Sequence, residues 1–260
     1  MANVAFLVDD VAAAGTASAS SSVGSLPGSR LLTAGPRDVW RGASGVTSLN
    51  VTVDLGVAKA IDAVALLFTN LSASGTRRVR VSNNSDMSSA SYDTTQAAPA
   101  TGELDIVTRQ LVHVLPATAT GRYVRVNLVD ATLSYHEAGK FIAGALVRPA
   151  RNFAHGRSWD AEDPSRISRA YGGAEFIDLR EIRRILELEL PALTPAEAEA
   201  FGYDLLTRLG SSQPFLTILD PAGAAVARNT VWGRCERPPK LAYPNVAMRR
   251  QVLRILERFA

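Results

Sequence analysis

Between residues 49 and 82 the hydrophobic period is two, and a sustained period of two commits a chain to sheet. Leu49, Val51, Val53 and Leu55 alternate with Asn50, Thr52 and Asp54, the pattern of a strand with one buried and one wet face. Residues 61–68 are apolar almost throughout, as in a strand covered on both faces. Val79 and Val81 then alternate with Arg78 and Arg80. Gly56 and the SASG stretch at 72–75 separate the three runs at residues that tolerate chain reversal. The expectation is an antiparallel sandwich. Nothing in the stretch has a catalytic pattern.

The flanking sequence extends this pattern. Residues 3–8 read as a short opening strand. Residues 12–29 are small and polar, either a loop or an extended arm laid on a neighbour. Trp40 follows, with two readings: an aromatic packed under the first sheet, or an exposed platform for stacking on sugar. Residues 83–102 form a long Ser/Asn/Thr-rich excursion around a short strand at 91–94. One or two strands are expected within 104–116, another at 122–130, and a closing one in FIAGALV at 141–147. In the 122–130 run, Tyr123, Arg125 and Asn127 lie opposite Val124, Val126 and Leu128. His113, between Val112 and Val114, reads as a satisfied surface or groove histidine. His136 and Glu137 adjoin, but no second histidine stands at metal-ligand spacing.

Trp40, the VDLG at 53–56, Ile61, Val64, Leu66, the VRVS at 79–82 and the GRYVRV at 121–126 together resemble a discoidin-type jelly roll. This family is also called coagulation factor 5/8 type C, or galactose-binding-like. The paired cysteines that often staple its extracellular members have no counterpart here. The resemblance implies a sugar site on the loops at one end of the sandwich. The candidates by loop position are Trp40, Arg41, Asn70, Arg77 and Tyr92: a ring to stack on and planar polar groups to satisfy hydroxyls.

Composition narrows the function classes. The chain has 260 residues, 47% of them apolar and 20% charged, which fits one or two globular domains. A net charge of +3, with no basic run carrying interleaved aromatics, argues against a nucleic-acid partner. Cys235 is the one cysteine, so no intrachain disulfide forms, and it reads as a small buried residue on a strand. No run reaches the roughly 18 apolar residues of a membrane helix. The first ten residues lack the basic region of a signal peptide, so synthesis in a cytoplasm is expected.

The character changes after residue 150. Residues 151–174, which include His155, mix arginines, acids and aromatics without a period and read as a solvated connector. Asp160, Glu162 and Asp163 lack the spacing of a calcium loop. A second domain is expected over 175–260. Leu186, Leu188 and Leu190 alternate with Glu187 and Glu189 as a half-exposed strand. Thr194, Pro195 and Glu197 spell a helix N-terminus with a capping box. Ala198, Phe201, Leu205 and Leu209 form its apolar stripe, and Gly210 stands at its end. Residues 214–221 and 230–238 read as strands. The tail fits a helix through Val252, Ile255, Leu256 and Phe259, or a strand that closes a β–α–β–β unit; the strand is preferred.

The fold expected is therefore mainly β: a discoidin-like jelly roll over 1–150, and a smaller α+β domain forming a curved sheet or split barrel with one helix. That second domain resembles the ring-forming domains of tailed-bacteriophage tail-tip proteins, and the whole layout is similar to phage minor tail proteins. The resemblance rests on VWRGAS, VDLG, TNLS, GRYVRV, FIAGALV, RRILELELPALTPAEAEA and the late WGR. It implies a structural virion component that assembles as a homo-oligomer, trimer or hexamer, with other tail proteins as partners and host-surface glycan within reach of the jelly roll. The alternative is a carbohydrate-binding module or the accessory domain of a carbohydrate-active enzyme. No nucleophile elbow, HExxH, P-loop or dinucleotide fingerprint is present, so the chain is expected to have no catalytic residues, metal or cofactor.

Overall fold

The computed structural model describes residues 2–35, 37–154 and 156–258. The chain divides into two compact units, one of residues 1–148 with 216–230, the other of 149–215 with 231–259. The expectations for His155 and Phe259 lie outside the described residues.

The first unit contains β1 (Ala5–Leu7), β2 (Thr16–Ala19), β3 (Trp40–Arg41), β4 (Ser48–Leu67), β5 (Thr76–Ser82), β6 (Tyr92–Asp93), β7 (Leu104–Asp105), β8 (Gln110–Val129), β9 (Glu137–Ala138) and β10 (Lys140–Gly144). The sheet is antiparallel in the order β10-β4-β8-β5-β6, with β2 added on β4 and β7 on β8. Its spine is the pairing of β4 with β8, which runs from Ser48↔Val129 to Leu67↔Gln110. The register is irregular between Asp54 and Lys59 and again between Ile61 and Ala63. Such bulges bend a ladder and increase its twist. Side chains from both halves of the ribbon, among them Val51, Val53, Ile61, Leu66 and Leu111, then meet in one core with Trp40 and Phe141. The curled sheet is a β-sandwich, and the mainly β expectation holds.

Two expectations are corrected here. The runs before and after Gly56 are one strand, β4, because ladder pairing resumes at Lys59. Gly56 itself has φ 78°, a left-handed turn that glycine adopts without a Cβ penalty. The polar arm is also partly a strand: β2 pairs Ala17 with Val53 and Ser18 with Thr52. The continuous burial expected for 61–68 is found over Ile61 to Leu67.

In the second unit lie β11 (Ser158–Glu162), β12 (Arg166–Arg169), β13 (Glu175–Asp178), β14 (Arg183–Leu193), α1 (Pro195–Glu197), β16 (Thr230–Cys235), β17 (Leu241–Ala242) and β18 (Arg249–Glu257); β15 (Phe215–Ile218), between α1 and β16 in the chain, belongs to the first unit from residue 216 on. Strands β16, β18, β14 and β11 lie side by side, and β17 adds to β18. The tail is thus a strand, paired from Ile185↔Leu256 to Leu193↔Arg249. The residues expected as a connector form β11, β12 and their turns.

The helix begins as the sequence specifies. The Thr194 side chain accepts from the Glu197 N–H, and the Glu197 carboxylate accepts from the Thr194 N–H at 2.8 Å. After one α turn the helix widens into π turns over Ala198–Gly202 and Leu205–Leu209. Ala198, Phe201, Leu205 and Leu209 are buried all the same.

Candidate functional site

The five residues proposed from loop position separate into three environments. Trp40 is fully buried. Its register partner is Ala138 on β9, and its indole N–H donates to the Ser21 carbonyl at 3.1 Å. The ring is core, and it offers no face to a sugar.

Arg41 is the next residue on β3, so its side chain leaves by the opposite face. Its register partner there is Glu137. Arg41 Nε donates to Glu137 Oε2 at 2.8 Å, and Nη2 donates to the same oxygen. This carboxylate raises the Arg41 pKa above its ordinary value. Arg109 reaches the other oxygen of Glu137 at 3.5 Å. The Arg41 guanidinium also lies 4.4 Å from the centre of the Tyr135 ring, within the range of a cation–π contact. Both guanidinium groups stay accessible, with side-chain exposures of 38% and 46%.

Asn70 fixes this group from behind. Its carbonyl oxygen accepts from the Glu137 N–H at 2.8 Å, and its amide donates to the Tyr135 carbonyl at 2.8 Å. Both ends of the amide are occupied, so Asn70 positions the segment. The supporting turn is unusual. Phe68 and Arg109 have φ of 57° and 55°, a conformation unfavourable for bulky residues. The Thr69 N–H donates to the Arg109 carbonyl at 2.9 Å between them.

Arg77 and Tyr92 belong to a separate, buried network. Arg77 Nε donates to Glu103 Oε2 at 3.0 Å. His113 Nδ1 lies 2.8 Å from Glu103 Oε1, and its Nε2 lies 2.8 Å from the Tyr92 hydroxyl. Burial raises the Glu103 pKa, but hydrogen bonds from His113, Ala100 and Arg77 outweigh it and hold the carboxyl at about 2. Burial also pushes the Tyr92 hydroxyl up. His113 is consequently an interior residue, correcting the surface or groove reading. Its ring does point away from the neighbouring valines, but the 83–102 excursion and β7 close over it with Tyr92 and Glu103. This network ties strands together and has no free group for a ligand.

The other tempting groups are likewise engaged. His136 is buried, with Nε2 at 3.1 Å from the Thr47 carbonyl, while the neighbouring Glu137 faces Arg41. Glu162 pairs with Arg183, and Asp160 lies 3.7 Å from Arg254. Among the described residues no cluster of three metal-ligating side chains occurs. Burial pushes the Cys235 thiol up to about 12.

No family model and no curated protein matches the chain. Solved structures do. A chitosan-binding module from a chitosanase/glucanase of Paenibacillus sp. IK-5 is 23% identical; the match covers 53% of this chain and 99% of that one, with a TM-score of 0.43. The family 32 CBM of C. perfringens NanJ, solved in complex with galactose, is 13% identical over 54% of this chain and 98% of that one, at 0.43. A Streptococcus pneumoniae fucose binding module is 11% identical over 53% and 98%, at 0.41.

Of the residues gathered at this edge, Arg41 and Asn70 are loop-position candidates, whereas Arg109, Tyr135 and Glu137 are not. In the sequence Glu137 stands out only as the neighbour of His136. The signal for its true partner lies in the pairing of β3 with β9, which two-residue strands do not announce in sequence.

Proposed function

We propose that the first unit is a non-catalytic carbohydrate-binding module, with its site at the accessible edge formed by Arg41, Arg109, Tyr135 and Glu137. One observation carries this reading: two half-exposed guanidinium groups converge on one carboxylate beside an aromatic ring, on a turn held by Asn70. Planar donors, a planar acceptor and a ring are the groups that recognise a pyranose, which presents hydroxyls at its rim and C–H groups on its face. Sharing Glu137 fixes both arginines before the ligand arrives, which lowers the entropy lost on binding. The test is saturation-transfer NMR with a panel of neutral mono- and disaccharides, comparing the parent chain with Arg41→Ala. Transfer lost in the variant supports the site. Transfer to no sugar, or unchanged transfer in the variant, overturns it.

A second reading concerns the second unit. The hairpin of β12 and β13 leaves Ile167, Tyr171, Phe176, Ile177 and Leu179 exposed. An isolated two-stranded hairpin is marginal in water, and apolar groups gathered on one mark an interaction surface. This supports a scaffold role in a phage tail tip, in which copies assemble as a closed trimer or hexamer beside other tail proteins and the first unit meets host-surface glycan. Virion localisation belongs to this same proposal. Light scattering on the purified chain tests it: a closed oligomer supports the scaffold, and a monomer at all concentrations opposes it.

A further inference from the structure

The outward face of the sheet formed by β2, β4, β8 and β5 carries groups that the site above does not use. Register places Ser18, Thr52, Arg125 and Arg80 in one row across the four strands. Side chains in one such row share a face of the sheet. The neighbouring residues Val53, Val124, Val126 and Val81 point the other way, into the core. The outward face hollows into an open depression of about 570 Å³, lined by Ser20, Asn50, Thr52, Asp54, Tyr123 and Arg125 among others, with Arg80 next to Arg125 in the row but outside the lining. That volume falls within the roughly 300–1,000 Å³ of ordinary ligand sites.

Arg125 and Arg80 stand directly opposite each other on adjacent strands, an arrangement that costs stability through repulsion. Arg125 donates from Nε to Thr52 Oγ1 at 2.7 Å and from Nη2 to the Ser85 carbonyl at 2.8 Å. Arg80 donates from Nη2 to Asn127 Oδ1 at 3.2 Å, while its Nε is buried without an acceptor. Among the described residues neither guanidinium enters an ion pair. The carboxylates on this face are already engaged. Asp54 is held by both Nε and Nη2 of Arg122, at 2.7 and 2.8 Å. Asp93 is held in the same two-pronged way by Arg78. Asp86 accepts from the Ser88 N–H and hydroxyl, and of the three it is the one whose charge reaches Arg125.

We infer that this face is a second saccharide site, and that it takes a sugar bearing a carboxylate, of the uronate class. A planar carboxylate docked on Arg125, on the side where Arg80 stands opposite it, would relieve the repulsion between the two guanidinium groups. The rest of the depression is hydroxyl, amide, a half-buried tyrosine ring and the Asp54 carboxylate, whose charge Arg122 offsets. Those groups suit the neutral hydroxyls and C–H face of the same sugar or its neighbours, and they do not suit a compact inorganic anion. The inference rests on the glycan-binding reading of this unit but uses a different face of it.

The experiment is calorimetric titration of the full chain with a trigalacturonate, a neutral trigalactose and inorganic phosphate, each at low and high salt. It is repeated on Arg80→Gln, Arg125→Gln and Arg41→Ala, each checked for an unchanged melting temperature. The expected result is trigalacturonate binding that weakens with salt and falls about tenfold or more in Arg80→Gln, the scale of one lost charge-assisted contact. Arg41→Ala should leave that binding intact. Arg80→Gln keeps the readout if Arg125→Gln fails to fold. Neutral sugar binding as tightly as the uronate overturns the acidic specificity and leaves the first site standing. Phosphate binding as tightly as the uronate overturns the saccharide assignment, and no binding of any sugar overturns both readings.

Discussion

Arg41 and Glu137 face each other across the β3–β9 pair, and the same register buries Trp40 against Ala138 on the other face. One short ladder therefore couples a core aromatic to an accessible polar cluster. A substitution on either face of β3 reads out a different quantity, which makes the two roles separable by experiment.

On the outer face, Arg41→Ala removes half of an accessible ion pair. Solvent screens a pair with one accessible arginine, so the melting temperature should move little while transfer to a bound neutral sugar is lost. Glu137→Gln should act similarly, because Arg41 and Arg109 lose the anion that orients them. Thermal denaturation alongside NMR checks both. A large drop in melting temperature would mean that the pair is structural.

On the inner face, Trp40→Ala should cost about 3–5 kcal/mol, the scale of deleting a fully buried aromatic. Trp40→Phe should cost less, with part of the loss from the indole hydrogen bond to Ser21. Urea denaturation measures both. If Trp40→Ala were as stable as the parent, the ring would not be the core residue described here.

The buried Glu103 network predicts the acid limb of stability. Glu103 has a folded pKa of about 2 against an ordinary 4.5, so the unfolded chain binds a proton over the interval in which the folded chain does not. The stabilisation is complete above about 4.5 and is lost as pH falls through about 2. Its size is roughly 3 kcal/mol. Melting temperature should fall across that window in the parent, and Glu103→Gln should flatten the fall while lowering stability at neutral pH, since Arg77 then stays buried without its anion.

How legible this was in the sequence depends on the range of the interaction. Val51, Val53, Val79 and Val81 announced their strands because alternation is local, and Thr194 with Glu197 announced the helix start because both ends of the capping box lie within one turn. The continuity of β4 through Gly56 was not legible, since the ladder that resumes at Lys59 is set by β8, some sixty residues away. Nor was the burial of His113, which depends on Glu103 and Tyr92 closing over it. The π turns after α1 leave no trace in the stripe of Ala198, Phe201, Leu205 and Leu209, whose spacing suits an ordinary helix equally well. Within the candidate site, Arg41 and Asn70 could be proposed from loop position, but their convergence through Glu137 is a product of tertiary pairing.

The β12–β13 hairpin gives the last prediction. Register pairs Ile167 with Ile177 and Arg169 with Glu175 on one face, and Ser168 with Phe176 on the other. Both faces therefore expose an apolar side chain, and a hairpin folded for its own sake would gain nothing from that. Phe176→Asp and Ile177→Asp should leave the melting temperature of the isolated chain nearly unchanged, because neither side chain is buried within it. If the hairpin is an assembly element, light scattering should find a closed oligomer for the parent chain and a monomer for both substitutions, since a charge buried at an interface without a partner is strongly unfavourable. Ile167→Asp should do the same through the face it shares with Ile177. An oligomer that survives all three substitutions would place the assembly surface away from the hairpin and leave the exposed hairpin without a role in it.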